Sequence, residues 1–155
     1  MKTTDQWLAE YSRSHRDDTN KLLHWICIPI IVMSIVGLLW SLPVPESFRV
    51  ASPALNWGTV FLMAAVVYYF ILSISLAVGA LPFVVLVVAV VAWLDGLGPP
   101  LWLTSVCLFV GGWAGQFAGH WYEGSRPSFF RDLQFLMIGP LWLIASVYRR
   151  FHIPY

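Results

Sequence analysis

The sequence predicts an all-α membrane protein, a polytopic helical bundle with four spanning helices and a short re-entrant or interfacial fifth apolar segment. Of its 155 residues, 59% are hydrophobic and 11% are charged, which is far more apolar than an average soluble domain. Eight of the seventeen charged residues fall within the first 21 positions, and none falls between Val50 and Leu94. That uncharged stretch is too long for one buried element, so we expect it to cross lipid more than once.

A polar arm, residues 1–21, precedes the apolar runs. The four long runs are Leu22 to Leu42, Leu55 to Ala77, Leu81 to Leu94 and Pro100 to Tyr122. A helix satisfies its own backbone polar groups, as lipid requires, so each run is predicted to be a helix. Gly79, Ala80 and Pro82 separate the second run from the third and predict a tight turn between them.

The fifth run, Leu133 to Tyr148, is short and is interrupted by Gly139 and Pro140. Such a segment is typical of a re-entrant or interfacial helix, because about 20 residues are needed to span the hydrocarbon core. The chain has no internal repeat, which indicates a single membrane-embedded domain over residues 1–155.

Basic residues predict the orientation of the bundle. The arm carries four of them, and Arg126 and Arg131 lie in the loop after the fourth run. Both regions are expected in the cytoplasm. Four crossings place them on the same side, because an even number returns the chain to the side where it started. Both termini are then cytoplasmic, in a bacterial inner membrane or an equivalent one. A net charge of +1 without any basic tract gives no indication of a nucleic-acid partner.

The predicted topology brings all four histidines to the cytoplasmic face. They are His15, His24, His120 and His152. Histidine is the commonest metal ligand, so this convergence predicts a metal centre that draws its ligands from separate helices. On one continuous helix His15 and His24 would lie on opposite faces, roughly 13 Å apart along the axis. The helix is therefore expected to break between them, at the capping residues Asp17 to Asn20.

A second group of polar residues ends the fourth run. Gln116, His120 and Glu123 are spaced i, i+4 and i+7 and share one helical face. A carboxylate and a histidine three residues apart ligate metal in diiron bundles, although here their order is reversed. Two histidines with one carboxylate would also suit a mononuclear Fe(II) site. We assign His24, His120 and Glu123 as catalytic. The alternative is that each histidine is an interfacial side chain without a metal and that Glu123 pairs with Arg126.

Two blocks of residues carry a resemblance to a known family. The first block is W-x3-Y-x3-H-x4-N-x3-H-x4-P, formed by Trp7, Tyr11, His15, Asn20, His24 and Pro29, and the second contains Gln116, Gly119, His120, Glu123 and Pro127. Together they resemble the 2-hydroxy fatty acid dioxygenases, a family first recognised in fungi and common in bacteria. The middle of the chain resembles that family only in its hydrophobicity.

The resemblance implies an Fe(II)-dependent enzyme that uses O2 to shorten a 2-hydroxy fatty acid by one carbon within membrane lipid. Arg126 and Lys21 are then expected to neutralise the substrate carboxylate, and Gln116 and Asn20 are also assigned to substrate binding. Two other functions remain open. One is a non-enzymatic carrier or assembly protein whose polar residues only join helices, and the other is a b-type haem protein with His24 and His120 as axial ligands.

Overall fold

The computed structural model describes residues 3–13, 15–124 and 135–155, and all the regular structure in these residues is helical. The helices are α1 (Thr4–Arg13), α2 (Asp18–Trp40), α3 (Glu46–Ala51), α4 (Trp57–Leu72), α5 (Ile74–Asp95), α6 (Leu101–Tyr122) and α7 (Ile138–Arg150). The all-α prediction is therefore confirmed for the described part of the chain. Part of the predicted fifth run, at residues 133 and 134, lies outside it.

Three of these helices, α2, α5 and α6, are long and apolar enough to cross a membrane. The fourth predicted crossing falls on α4, which has 16 residues and so a length of roughly 24 Å. The hydrocarbon core is about 30 Å thick, so the count of four crossings is not confirmed and stays a prediction. Helix α7 has 13 residues, too few to span the core.

The turn predicted at Gly79 to Pro82 is wrong. The break between α4 and α5 lies at Ser73, whose backbone is extended and whose hydroxyl accepts a hydrogen bond from the Leu76 amide at 3.3 Å. Gly79 and Pro82 lie inside α5. A Cβ at Gly79 would lie 2.5 Å from Tyr148 Oη, so this glycine allows close packing on α7. Proline is tolerated in membrane helices, where neighbouring groups satisfy the freed carbonyl.

Among the described helices, α2 and α6 make the most extensive contact, because glycines of α6 face α2. A Cβ at Gly112 would lie 2.7 Å from Ile31 Cγ1, and one at Gly115 would lie 2.5 Å from Cys27 Sγ. Small residues of this kind let two helix backbones approach each other in a membrane. The pair is antiparallel, so the start of α2 meets the end of α6.

Part of the N-terminal arm, Thr4–Arg13, forms helix α1, which was not predicted from the sequence. Helix α1 packs on α7, where Trp142 Nε1 donates to Ser12 Oγ at 2.9 Å and the Tyr11 ring lies 5.4 Å from the Trp142 ring. The predicted break before α2 is confirmed. Asp17 is extended and caps α2 by accepting the amides of Thr19 and Asn20, at 2.9 and 3.0 Å.

Candidate metal centre

Three histidines from three parts of the chain meet at one end of the bundle. His15 follows α1, His24 lies in the second turn of α2 and His120 lies in the last turn of α6. They are only 4%, 1% and 4% exposed, and one nitrogen from each lies within 4.8 Å of the other two. The ring centroid of His24 is 4.2 Å from that of His15 and 5.0 Å from that of His120. We call these residues the three-histidine group.

Backbone carbonyls determine which ring nitrogen two of these histidines can offer to a metal ion. Nδ1 of His15 lies 2.7 Å from the Tyr11 carbonyl oxygen, and Nδ1 of His24 lies 2.9 Å from that of Asn20. A carbonyl only accepts, so each Nδ1 carries the proton and donates, and Nε2 keeps the lone pair of the neutral ring. A backbone carbonyl on the second ring nitrogen is a common partner of metal-binding histidines. The donor set therefore fits a divalent transition metal.

Aromatic rings hold the His15 side chain in its orientation. The Tyr11 ring stacks on it with a centroid separation of 4.2 Å and an interplanar angle of 10°, and the Trp142 ring lies 5.6 Å away. Neither aromatic was predicted from the sequence to lie beside the histidines. The spacing of Tyr11, four residues before His15, was the available signal, because residues i and i+4 share one helical face. Trp142 carried no such signal, because α7 is distant in sequence from His15.

Glu123 lies beside the group and binds the backbone before α2. Its Oε1 accepts the Arg16 amide at 2.8 Å, and its Oε2 accepts the Asp17 amide at 3.0 Å and the Asn20 side-chain amide at 2.8 Å. Partial burial raises the pKa of Glu123, but these three hydrogen bonds outweigh burial and hold the pKa below its usual range. The carboxylate is therefore charged at neutral pH.

The other residues assigned from the sequence have different surroundings. Gln116 is buried and lines a cavity of about 20 Å³ together with Tyr11 and Trp113. Asn20 is fully buried at the Glu123 carboxylate, whereas Lys21 is partly exposed and pairs with Asp18 at 2.8 Å.

Arg126 and His152 were also assigned from the sequence. Arg126 lies outside the described residues. His152 is exposed beyond the end of α7 and is not among the three clustered histidines.

The packing of the rings argues against a b-type haem. A porphyrin ligated by His24 and His120 must lie between the two rings, yet their centroids are 5.0 Å apart and the His15 ring lies 5.4 Å from that of His120. Three imidazole nitrogens instead suit a single ion. They fill only part of its coordination sphere, so they leave positions for water or a substrate.

An apolar groove of about 180 Å³ opens near this end of the bundle, between α2, α5 and α7. Its lining residues are Trp25, Pro29, Phe83, Pro140, Leu143, Ile144 and Val147. Trp25 follows His24 in α2, and Leu143 follows Trp142 in α7. The groove therefore shares two helices with the surroundings of the three-histidine group and offers a surface suited to a hydrocarbon chain.

Comparison with known proteins places the chain in a family. No curated protein and no solved structure matches it. Residues 1–151 match the protein family described as 2-hydroxy-palmitic acid dioxygenase Mpo1-like. That match includes both sequence blocks and the middle of the chain, which hydrophobicity alone had linked to the family. The chain therefore belongs to the Mpo1-like family.

Proposed function

We propose that this protein is a membrane Fe(II)-dependent dioxygenase that uses O2 to shorten 2-hydroxy fatty acids by one carbon. The observation that carries the proposal is the three-histidine group, in which buried nitrogens from separate helices lie within 4.8 Å of one another. Buried histidines at the end of apolar helices are expensive to retain unless they serve a function. The family description supplies the substrate class, a 2-hydroxy acid with a long acyl chain.

In this proposal His15, His24 and His120 hold the iron, which supplies the redox chemistry that lets O2 react with the substrate. The protein binds and orients the fatty acid. The apolar groove between α2, α5 and α7 receives part of the acyl chain, which leaves the carboxylate and the 2-hydroxyl at the polar end of the bundle. Lys21, at the same end, is a cation able to attract the carboxylate, and Arg126 is proposed for the same role from its position in the sequence.

The proposed reaction needs no outside reductant. A 2-hydroxy acid and O2 balance against the acid one carbon shorter, CO2 and water, with cleavage of the bond between C1 and C2. Each turnover then consumes one O2. The shorter product and the absence of a reductant separate this reaction from a simple hydroxylation, which also consumes one O2 but needs two electrons from a reductant and leaves the chain length unchanged.

The test uses purified protein in lipid nanodiscs, loaded with Fe(II) without air and then given 2-hydroxypalmitic acid and O2. We expect pentadecanoic acid in a 1:1 ratio to the O2 consumed. Protein loaded with Zn(II), protein treated with a chelator, and palmitic acid as substrate are the controls, and each should give no product. Turnover that survives chelation would remove iron from the mechanism. Bound iron without any product would favour the carrier function instead.

A further inference from the structure

His15 differs from the other two histidines in the way that the fold holds it. His24 and His120 are carried by α2 and α6, which pack closely through glycines. His15 lies in the connection between α1 and α2, outside both helices. We call residues 15–17 the His15 link. The position of His15 in the group therefore depends on what attaches this link to the α2–α6 pair.

Glu123 makes that attachment. It directly follows the last residue of α6, and its carboxylate accepts the amides of Arg16 and Asp17, the two residues after His15. The Asn20 side chain donates to the same carboxylate from the first turn of α2. One charged group thus joins the link, the start of α2 and the end of α6. Hydrogen bonds to a carboxylate are about twice as strong as neutral ones.

We propose that Glu123 is a positioning residue that fastens the His15 link to the end of α6 and so completes the three-histidine group. The proposal rests on the metal centre of the proposed function and is independent of the reaction assigned to it. It also differs from a role as ligand, because both carboxylate oxygens are engaged by the link and by Asn20. Glutamine at this position has a similar shape, but it lacks the charge and presents an NH2 group to one of the donors.

The first measurement uses the apoprotein and concerns only the link. In Glu123→Gln we expect faster hydrogen exchange of the Arg16 and Asp17 amides, read from a peptide that contains both. The matched control is Glu46→Gln, which makes the same chemical change at an exposed position beyond the opposite end of α2. Exchange should be unchanged in the control.

The second measurement is a titration with Co(II), whose visible absorption reports the ligands. We expect Glu123→Gln to bind Co(II) about 10- to 100-fold more weakly than the unmodified protein and to reach the same spectrum at saturation. His15→Ala should change the saturated spectrum, because a ligand is lost. Glu46→Gln should match the unmodified protein in both affinity and spectrum.

Two results would refute the proposal. If Glu123→Gln leaves amide exchange and Co(II) affinity unchanged, the link is held by other contacts. If its saturated spectrum changes as it does in His15→Ala, Glu123 is a ligand. If Glu123→Gln does not fold, Glu123→Asp replaces it. The shorter side chain keeps the charge but reaches the link poorly, so it should give the same pattern to a smaller degree. Failure of the dioxygenase reaction would appear only as absent product and would leave both measurements intact.

Discussion

Two pairs of neighbouring helices in this bundle are built differently. Where α2 packs on α6 the buried residues include Asn20, His24, Gln116 and His120, and glycines bring the backbones together. Where α4 packs on α5 the buried residues are apolar apart from the Tyr69 hydroxyl. Buried polar groups cost free energy in an apolar environment unless they are paired. This cost is concentrated in the α2–α6 pair, which therefore contains the proposed metal centre, whereas the α4–α5 pair is packed through apolar residues.

The strongest test of this difference removes the ligands. His24→Ala and His120→Ala should each abolish iron retention and activity, because both histidines lie on helices that packing fixes in place. Membrane insertion should persist, since neither change affects the glycine contacts. The matched control in the other pair is Tyr69→Phe, which should keep its iron. Metal analysis of the purified variants is the measurement, and full iron occupancy in either histidine variant would eliminate the site.

The sequence predicted much of the α2–α6 region because its signals are local or depend on topology. The break between His15 and His24 followed from their spacing and from the capping residue Asp17, and the structure confirms it. The basic residues predicted one face for all four histidines, and the structure brings three of them together. The role of Glu123 was harder to predict, because its partners lie more than 100 residues away in sequence.

The α4–α5 region was predicted less well because its composition is uniform. Gly79 and Pro82 resemble turn residues when they are read locally, yet the turn is set by Ser73, whose hydroxyl caps α5. Gly79 instead makes room for Tyr148, a contact with α7 that no local pattern reveals. The same limit applies to α1, because its helix is stabilised by packing on Trp142 and not by its own sequence alone.

A second test concerns the glycines that bring α2 and α6 together. Gly112→Ala should destabilise the protein by about 1–3 kcal/mol, because the added methyl group would overlap Ile31. Gly111→Ala is the matched control, since a Cβ at Gly111 meets no atom within 4 Å, and it should be neutral or slightly stabilising. Thermal unfolding in nanodiscs gives both values. Equal effects at the two positions would mean that close approach does not hold this pair together.

A third test compares the two capping residues. Asp17→Ala and Ser73→Ala each remove side-chain hydrogen bonds from the start of a helix and should each cost about 1 kcal/mol of stability. Only Asp17→Ala should also weaken metal binding, by several-fold, because Asp17 belongs to the His15 link. Thermal unfolding and Co(II) titration measure the two effects. Weaker metal binding in Ser73→Ala as well would show that the α4–α5 pair shapes the centre directly.

The smallest expected effect is at His152, the histidine that the structure leaves outside the group. His152 directly follows the C-terminal cap of α7 and has a φ of 57°, and the amides of His152 and Ile153 donate to the carbonyls of Arg149 and Tyr148. This is the Schellman arrangement that ends many helices, and glycine is favoured at the left-handed position. His152→Gly should therefore leave iron content and activity unchanged and raise stability by up to about 1 kcal/mol, because glycine adopts this conformation without steric cost. Metal analysis and thermal unfolding of this variant measure both effects. Loss of iron would return His152 to the ligands predicted from the sequence and would require the C-terminal segment to fold over the three-histidine group.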